Sequence, residues 1–108
     1  MKKYRVLLTP RAKVSITRIV SRLEAEESKT VSQKVRRGIM DTIRKLKTFP
    51  ESHEVFEEIS DEKIVFRRVL KWDYKIVFTV KKDVLEVVVV QVYHGAQGLQ
   101  RIIRQLKP

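Results

Sequence analysis

Three apolar runs in the second half of the chain, residues 64–70, 74–80 and 85–93, are separated only by the short breaks Lys71-Trp72-Asp73 and Lys81-Lys82-Asp83-Val84. Val, Ile, Leu, Phe and Tyr dominate each run. Branched and aromatic side chains fit a pleated surface, so the pattern predicts a three-stranded antiparallel meander. Arg67, Arg68 and Lys75 interrupt the first two runs. A charge inside a sheet is costly unless one face stays open to solvent, a ligand or a partner. Function is therefore expected where the apolar sheet carries cations in its middle.

The rest of the chain predicts what covers that sheet. Residues 3–8 alternate Tyr4, Val6 and Leu8 with mostly polar neighbours, a first strand. Thr9-Pro10 then signals a helix start, a hydroxyl cap followed by proline at the first helical position. Ile16, Ile19, Val20 and Leu23 continue at helical spacing, and the helix should fade near Glu26-Glu27-Ser28. A second helix is expected from Val31 or Ser32 to about Thr48, on a stripe of Val31, Val35, Ile39, Ile43 and Leu46. Pro50 stops it and pushes Phe49 toward an extended conformation. The acidic stretch 51–62 reads as a short strand or as a loop. Residues 96–106, with Leu99, Ile102, Ile103 and Leu106, predict a short last helix. The fold class is α+β: an N-terminal strand, a helical hairpin, an antiparallel sheet of three to four further strands and a short C-terminal helix. At 108 residues one domain, 1–108, is the simplest account.

Composition narrows the chemistry. The net charge is +11 and uneven: residues 1–50 hold 14 Lys/Arg against 4 acids, 51–62 hold 6 acids and no Lys/Arg, and 63–108 hold 10 Lys/Arg against 3 acids. Such a field attracts polyanions, either nucleic acid or an acidic protein. With no cysteine there are no disulfides, which fits a reducing cytoplasm. The N-terminus lacks the pattern of a secretory signal, and no run is long and apolar enough for a membrane role. Two distant histidines make no metal-ligand spacing, and the three glycines form no phosphate-cradling loop. No metal or cofactor is expected.

Two assumed turns give a register. If Leu70 pairs with Tyr74 and Val80 with Leu85, one face collects Phe66, Arg68, Leu70, Tyr74, Ile76, Phe78, Val87 and Val89 for burial under the helices. The other face, carrying Arg67, Val69, Lys75, Val77, Val90, Val92 and His94, stays open. Lys75 then lies opposite Val90, and Arg67, Lys75 and His94 line a shallow basic groove. Arg67 and Arg68 have an alternative role, pairing with the 51–62 acids. A slip by one residue in either hairpin would undo the grouping. The groove suits binding, or metal-free RNA cleavage with cations stabilising the transition state and a side chain moving the proton.

Four motifs together resemble the RelE/ParE superfamily, the toxins of bacterial toxin–antitoxin and plasmid-stabilisation pairs. They are Tyr4-Arg5-Val6-Leu7-Leu8-Thr9-Pro10-Arg11-Ala12; Leu46-Lys47-Thr48-Phe49-Pro50; Phe66-Arg67-Arg68-Val69-Leu70 with Tyr74-Lys75-Ile76-Val77-Phe78; and Val90-Gln91-Val92-Tyr93-His94. The resemblance spans nearly the whole chain. It implies a growth-inhibiting toxin neutralised by a cognate antitoxin in a hetero-oligomer. RelE-like members cleave mRNA on the ribosome, and ParE-like members poison DNA gyrase. Ribosome-dependent members typically have arginine at the position of Lys75, some a histidine near His94, and others an arginine and a tyrosine beyond the last strand, where Gly95-Ala96-Gln97-Gly98 stands here. Lys75 keeps the charge but loses the planar fork that suits a phosphate. The resemblance thus leans to the ParE-like side, with Arg67, Arg68, Lys71 and Lys75 as target contacts. Its alternative is a nuclease using Arg67, Lys75 and His94, and a further one is a non-toxic basic nucleic-acid-binding or structural relic.

Overall fold

The computed structural model describes residues 3–95 and 99–106. Strand β1 (Arg5–Leu8) leads into helices α1 (Pro10–Glu26) and α2 (Lys29–Arg44), which form the expected hairpin. Then come β2 (Glu54–Val55), the meander β3 (Phe66–Lys71), β4 (Tyr74–Lys81) and β5 (Glu86–His94), and helix α3 (Leu99–Leu106). The strands form one sheet in the order β1-β5-β4-β3-β2, with β1 parallel to β5 and the other neighbours antiparallel. The α+β architecture read from the sequence is the one observed. The start expected for the last helix, at Ala96, lies outside the described residues.

Side-chain caps set the helix starts. The Thr9 hydroxyl accepts from Ala12 N (3.2 Å) and the Ser28 hydroxyl from Val31 N (3.1 Å). Ser28 therefore begins α2 at Lys29, two residues ahead of the apolar stripe that suggested Val31. The helix ends at Arg44 and tightens into a 3₁₀ turn, Lys45–Lys47. Phe49 corrects an expectation: it is left-handed (φ 50°), not extended, and its carbonyl accepts from both Ser52 N (3.1 Å) and Ser52 Oγ (2.8 Å). The acidic stretch is both things proposed for it, a two-residue strand followed by turns.

The register differs from the expected one, and the difference moves side chains between faces. The β3–β4 loop has two residues, with Lys71 opposite Tyr74, so Leu70 faces Lys75 and Arg68 faces Val77. Trp72 takes the left-handed conformation (φ 53°) that so short a loop requires. Its indole lies over Gly38 of α2, where an added Cβ would come within 2.4 Å of Trp72 Cη2 and Cζ3. Helix glycine, a residue costly in that place, thus makes room for the loop. In the second hairpin Val80 faces Val87 rather than Leu85, and a bulge leaves Val90 without a partner between Phe78↔Val89 and Val77↔Gln91. An extra residue reverses the alternation beyond it. Val92 consequently joins Val87 and Val89 in the helix-side core with Ile16, Ile39, Ile43, Ile76 and Phe78.

The other face, expected from the sequence to stay open, is covered. Phe56 and Ile59, from the turns after β2, and Ile102 of α3 bury Val77 and Tyr93 there, with Phe66, Val90, Ile103 and Leu106 packed around them. Apolar burial of this kind contributes about 1.5–3 kcal/mol per large side chain, enough to hold so short a helix on the sheet.

Candidate functional site

The observed register puts the two arginines of β3 on opposite faces. Arg67 lies on the helix side, opposite Phe78, and its Nη1 donates to the His53 carbonyl (2.8 Å). The His53 ring stands edge-on to Phe78 at 5.8 Å. Burial, and then the Arg67 charge, hold the His53 imidazole below the ordinary histidine range. Arg68 lies on the outer face, its guanidinium 4.4 Å above the Phe56 ring. Its Nε donates to Glu54 Oε1 (2.7 Å), and Nη1 is 3.9 Å from Glu58. Although partial burial acts the other way, Glu54 and then Glu58 keep Arg68 more firmly protonated than a free arginine. Burial pushes the neighbouring Tyr93 phenol up, against the pull of Arg68. Arg68 therefore takes the alternative role open to it, pairing with the acidic stretch, whereas Arg67 binds a backbone carbonyl there.

The remaining candidates are dispersed. Lys71 sits at the β3–β4 tip, its Nζ 4.5 Å from the Trp72 ring centroid. Lys75 is opposite Tyr93, and His94 is opposite Tyr74. Paired residues share a face and consecutive ones alternate, so Lys75 points to the outer face with Tyr93 and His94 to the helix face with Tyr74. The Tyr74 and His94 rings meet edge-on at 5.2 Å. The basic groove expected from Arg67, Lys75 and His94 is therefore not assembled, because the two-residue loop and the bulge each displaced one hairpin's register.

A different concavity stands at that end of the sheet. Because β1 ends at Leu8, beside Val89, the last residues of β5 have no strand on that side among the described residues. Helices α1 and α3 flank them instead, around a cleft of about 600 Å³ floored by Tyr74, Gln91, Val92 and His94. Arg18 and Arg22 line it from α1 and Arg101 from α3. A polar relay ties these walls together: the Ser15 hydroxyl donates to Gln91 Oε1, and Gln91 Nε2 donates to Gln105 Oε1 (2.8 Å). Gln91 Oε1 also accepts from Val92 N (3.0 Å), so the buried amide uses its oxygen twice and its nitrogen once. Burial, and then Asp73, raise the Tyr74 phenol against the opposing charge of Arg22. Nothing in the sequence pattern singles out Ser15, Arg18, Arg22 or Arg101 as site residues, and Gln91 stands there only within the last of the four motifs. The available signal was Gln91, a lone amide in a strand of valines. Among the described residues no cluster could hold a metal ion, and no helix is long and apolar enough to cross a membrane.

Comparison with known proteins agrees with this fold. The family described as "ParE toxin of type II toxin-antitoxin system, parDE" matches residues 6–99. No curated protein matches the chain in sequence. Among solved structures, the chromosomal ParDE toxin–antitoxin system from P. aeruginosa is similar with a TM-score of 0.68 at 12% identity, covering 85% of this chain and 96% of that one. The archaeal RelE–RelB complex from Pyrococcus horikoshii OT3 gives 0.60 at 12% identity, over 89% and 99% of the two chains. The toxin–antitoxin complex RelBE2 from Mycobacterium tuberculosis gives 0.60 at 16% identity, over 90% and 97%.

Proposed function

The chain belongs to the ParE toxin family of type II toxin–antitoxin systems, and we propose that it arrests growth by acting on DNA gyrase until a cognate antitoxin neutralises it. One observation carries the choice of target: Lys75 and His94 project from opposite faces of the sheet. General acid–base cleavage of a phosphodiester needs the proton-moving group and the charge-stabilising group around one phosphorus. Arg68, the other strong cation of that region, is already held by Glu54 and Glu58. Lys71 and Lys75, which carry no ion pair among the described residues, are then the stronger candidates for target contacts. The reading places the toxin in the cytoplasm, with a small acidic antitoxin as its partner.

Induction of the chain should produce cleaved gyrase–DNA complexes while transcripts stay intact. Purified toxin should inhibit supercoiling by gyrase in vitro, and co-expression of a small acidic protein from the neighbouring reading frame should restore growth. Codon-linked cuts in cellular mRNA, lost in Lys75→Ala and His94→Ala, would replace this reading with ribosome-dependent cleavage.

A further inference from the structure

We infer that the cleft between α1 and α3 is a binding site for a phosphate-bearing ligand of nucleotide size. Three guanidiniums from two helices line one concavity, and among the described residues Glu26 is the only carboxylate lining it. Arg22 Nε already donates to that carboxylate (3.1 Å). Arg18 and Arg101 form no ion pair with any described residue. Like charges gathered in a concave wall repel one another, and the potential they build is focused rather than dispersed. An anion seated among them relieves the repulsion.

The chemistry favours phosphate over a simple carboxylate. Guanidinium forks donate in planar pairs, and a phosphate offers several oxygens and up to two charges to more than one fork at once. Arg18 and Arg22 are one helical turn apart, so both reach the same side of the cleft. Arg101 approaches from the facing helix, and the Ser15–Gln91–Gln105 relay fixes the distance between the walls. The volume of about 600 Å³ lies within the range of small-molecule sites and exceeds what a bare ion fills. Ile19 and Leu23, with the Tyr74 and His94 rings at the floor, supply apolar and aromatic surface for the remainder of a nucleotide.

The test is calorimetric titration of the full-length chain with pyrophosphate, with ATP and with a short single-stranded DNA at low salt, alongside amide chemical-shift mapping. Binding should perturb Gln91, Val92, His94 and Arg101. Arg18→Gln and Arg101→Gln should each weaken it about tenfold, as loss of a charge-assisted hydrogen bond implies. Arg11→Gln removes the same charge from the same helix outside the cleft and should leave affinity unchanged. Circular dichroism of each variant guards against unfolding. Tighter binding of ATP than of DNA, per site, identifies a free nucleotide as the source, and the reverse identifies a nucleic-acid backbone. Both support the site if the arginine dependence holds. The inference fails if Arg11→Gln weakens binding as much as the cleft variants, if a glutamate-rich peptide of equal charge binds as tightly as ATP, or if none of the three probes shifts the cleft amides. Inhibition of supercoiling is measured apart from ligand titration, so either reading can fail while the other stands.

Discussion

The two faces of the sheet are closed by different means, and the contrast explains which residues are free to act. On the helix side, α1 and α2 lay continuous apolar stripes over Ile76, Phe78, Val87, Val89 and Val92. On the outer side, cover comes from turns after β2 and from a helix of eight residues at the far end of the chain. The first face is a core in the ordinary sense. The second is a thin apolar layer with Arg68 lying across Phe56, so its stability rests on a few long-range contacts. Polar features gather where cover is thin: the Arg68–Glu54 pair at one edge and the cleft under α3 at another.

The sharpest way to break the contrast is to truncate one aromatic on each face. Phe78 and Phe56 are both fully buried. Phe78→Ala should cost about 3–5 kcal/mol in urea unfolding, because close-packed helices cannot collapse into the void. It should also raise amide exchange throughout the sheet. Phe56→Ala should cost less, because turns relax more readily than packed helices, and should loosen mainly residues 54–68 and α3. Equal costs with global loosening in both variants would show that the two layers unfold as one core.

Much of this division could be read along the chain, and the failures have local causes. The helix stripes were legible because Ile16, Ile39 and Ile43 recur at helical spacing, and the meander because its runs are nearly continuous. Assigning its faces required the register, which depends on loop lengths. Trp72-Asp73 carries no glycine or asparagine to announce a two-residue turn, and the room for its indole is supplied by Gly38, distant in sequence. The bulge at Val90 is equally silent, since an extra valine in a run of valines leaves no mark. Both errors fell on the residues chosen as a site, and so the groove did not form although its strands did. Cover from α3 was invisible for a related reason: an amphipathic helix declares which of its own sides is apolar, not which sheet face will receive it.

A smaller effect probes the join between the faces. Gln91 links α1 through Ser15 and α3 through Gln105. Gln91→Leu keeps the volume but leaves the Val92 N–H and two side chains without their partner, at about 1–3 kcal/mol. Exchange in α3 should rise more than in α2. Adding Ser15→Ala to Gln91→Leu should cost little further, since the bond it removes is already gone. Full additivity of the two substitutions would show that Ser15 and Gln91 act independently.

The smallest expected effect is a pH dependence confined to one edge of the helix-side layer. His53 is held below the ordinary histidine range by burial and by Arg67, so the unfolded chain takes up the proton before the folded one does. Where the unfolded state binds more protons, stability rises with pH. His53 should therefore subtract nothing above the ordinary value of 6.5 and progressively more as pH falls from there to its lowered folded value. The ring is partly exposed, which keeps the effect modest. Urea midpoints for the wild type and His53→Gln at about pH 7.5 and about pH 5 isolate it, because carboxylates common to both chains largely cancel in the difference. The wild type should lose more stability than the variant on acidification. Equal losses would mean the imidazole accepts its proton as readily in the fold as out of it, and that Arg67, facing the His53 carbonyl, exerts no grip on the ring.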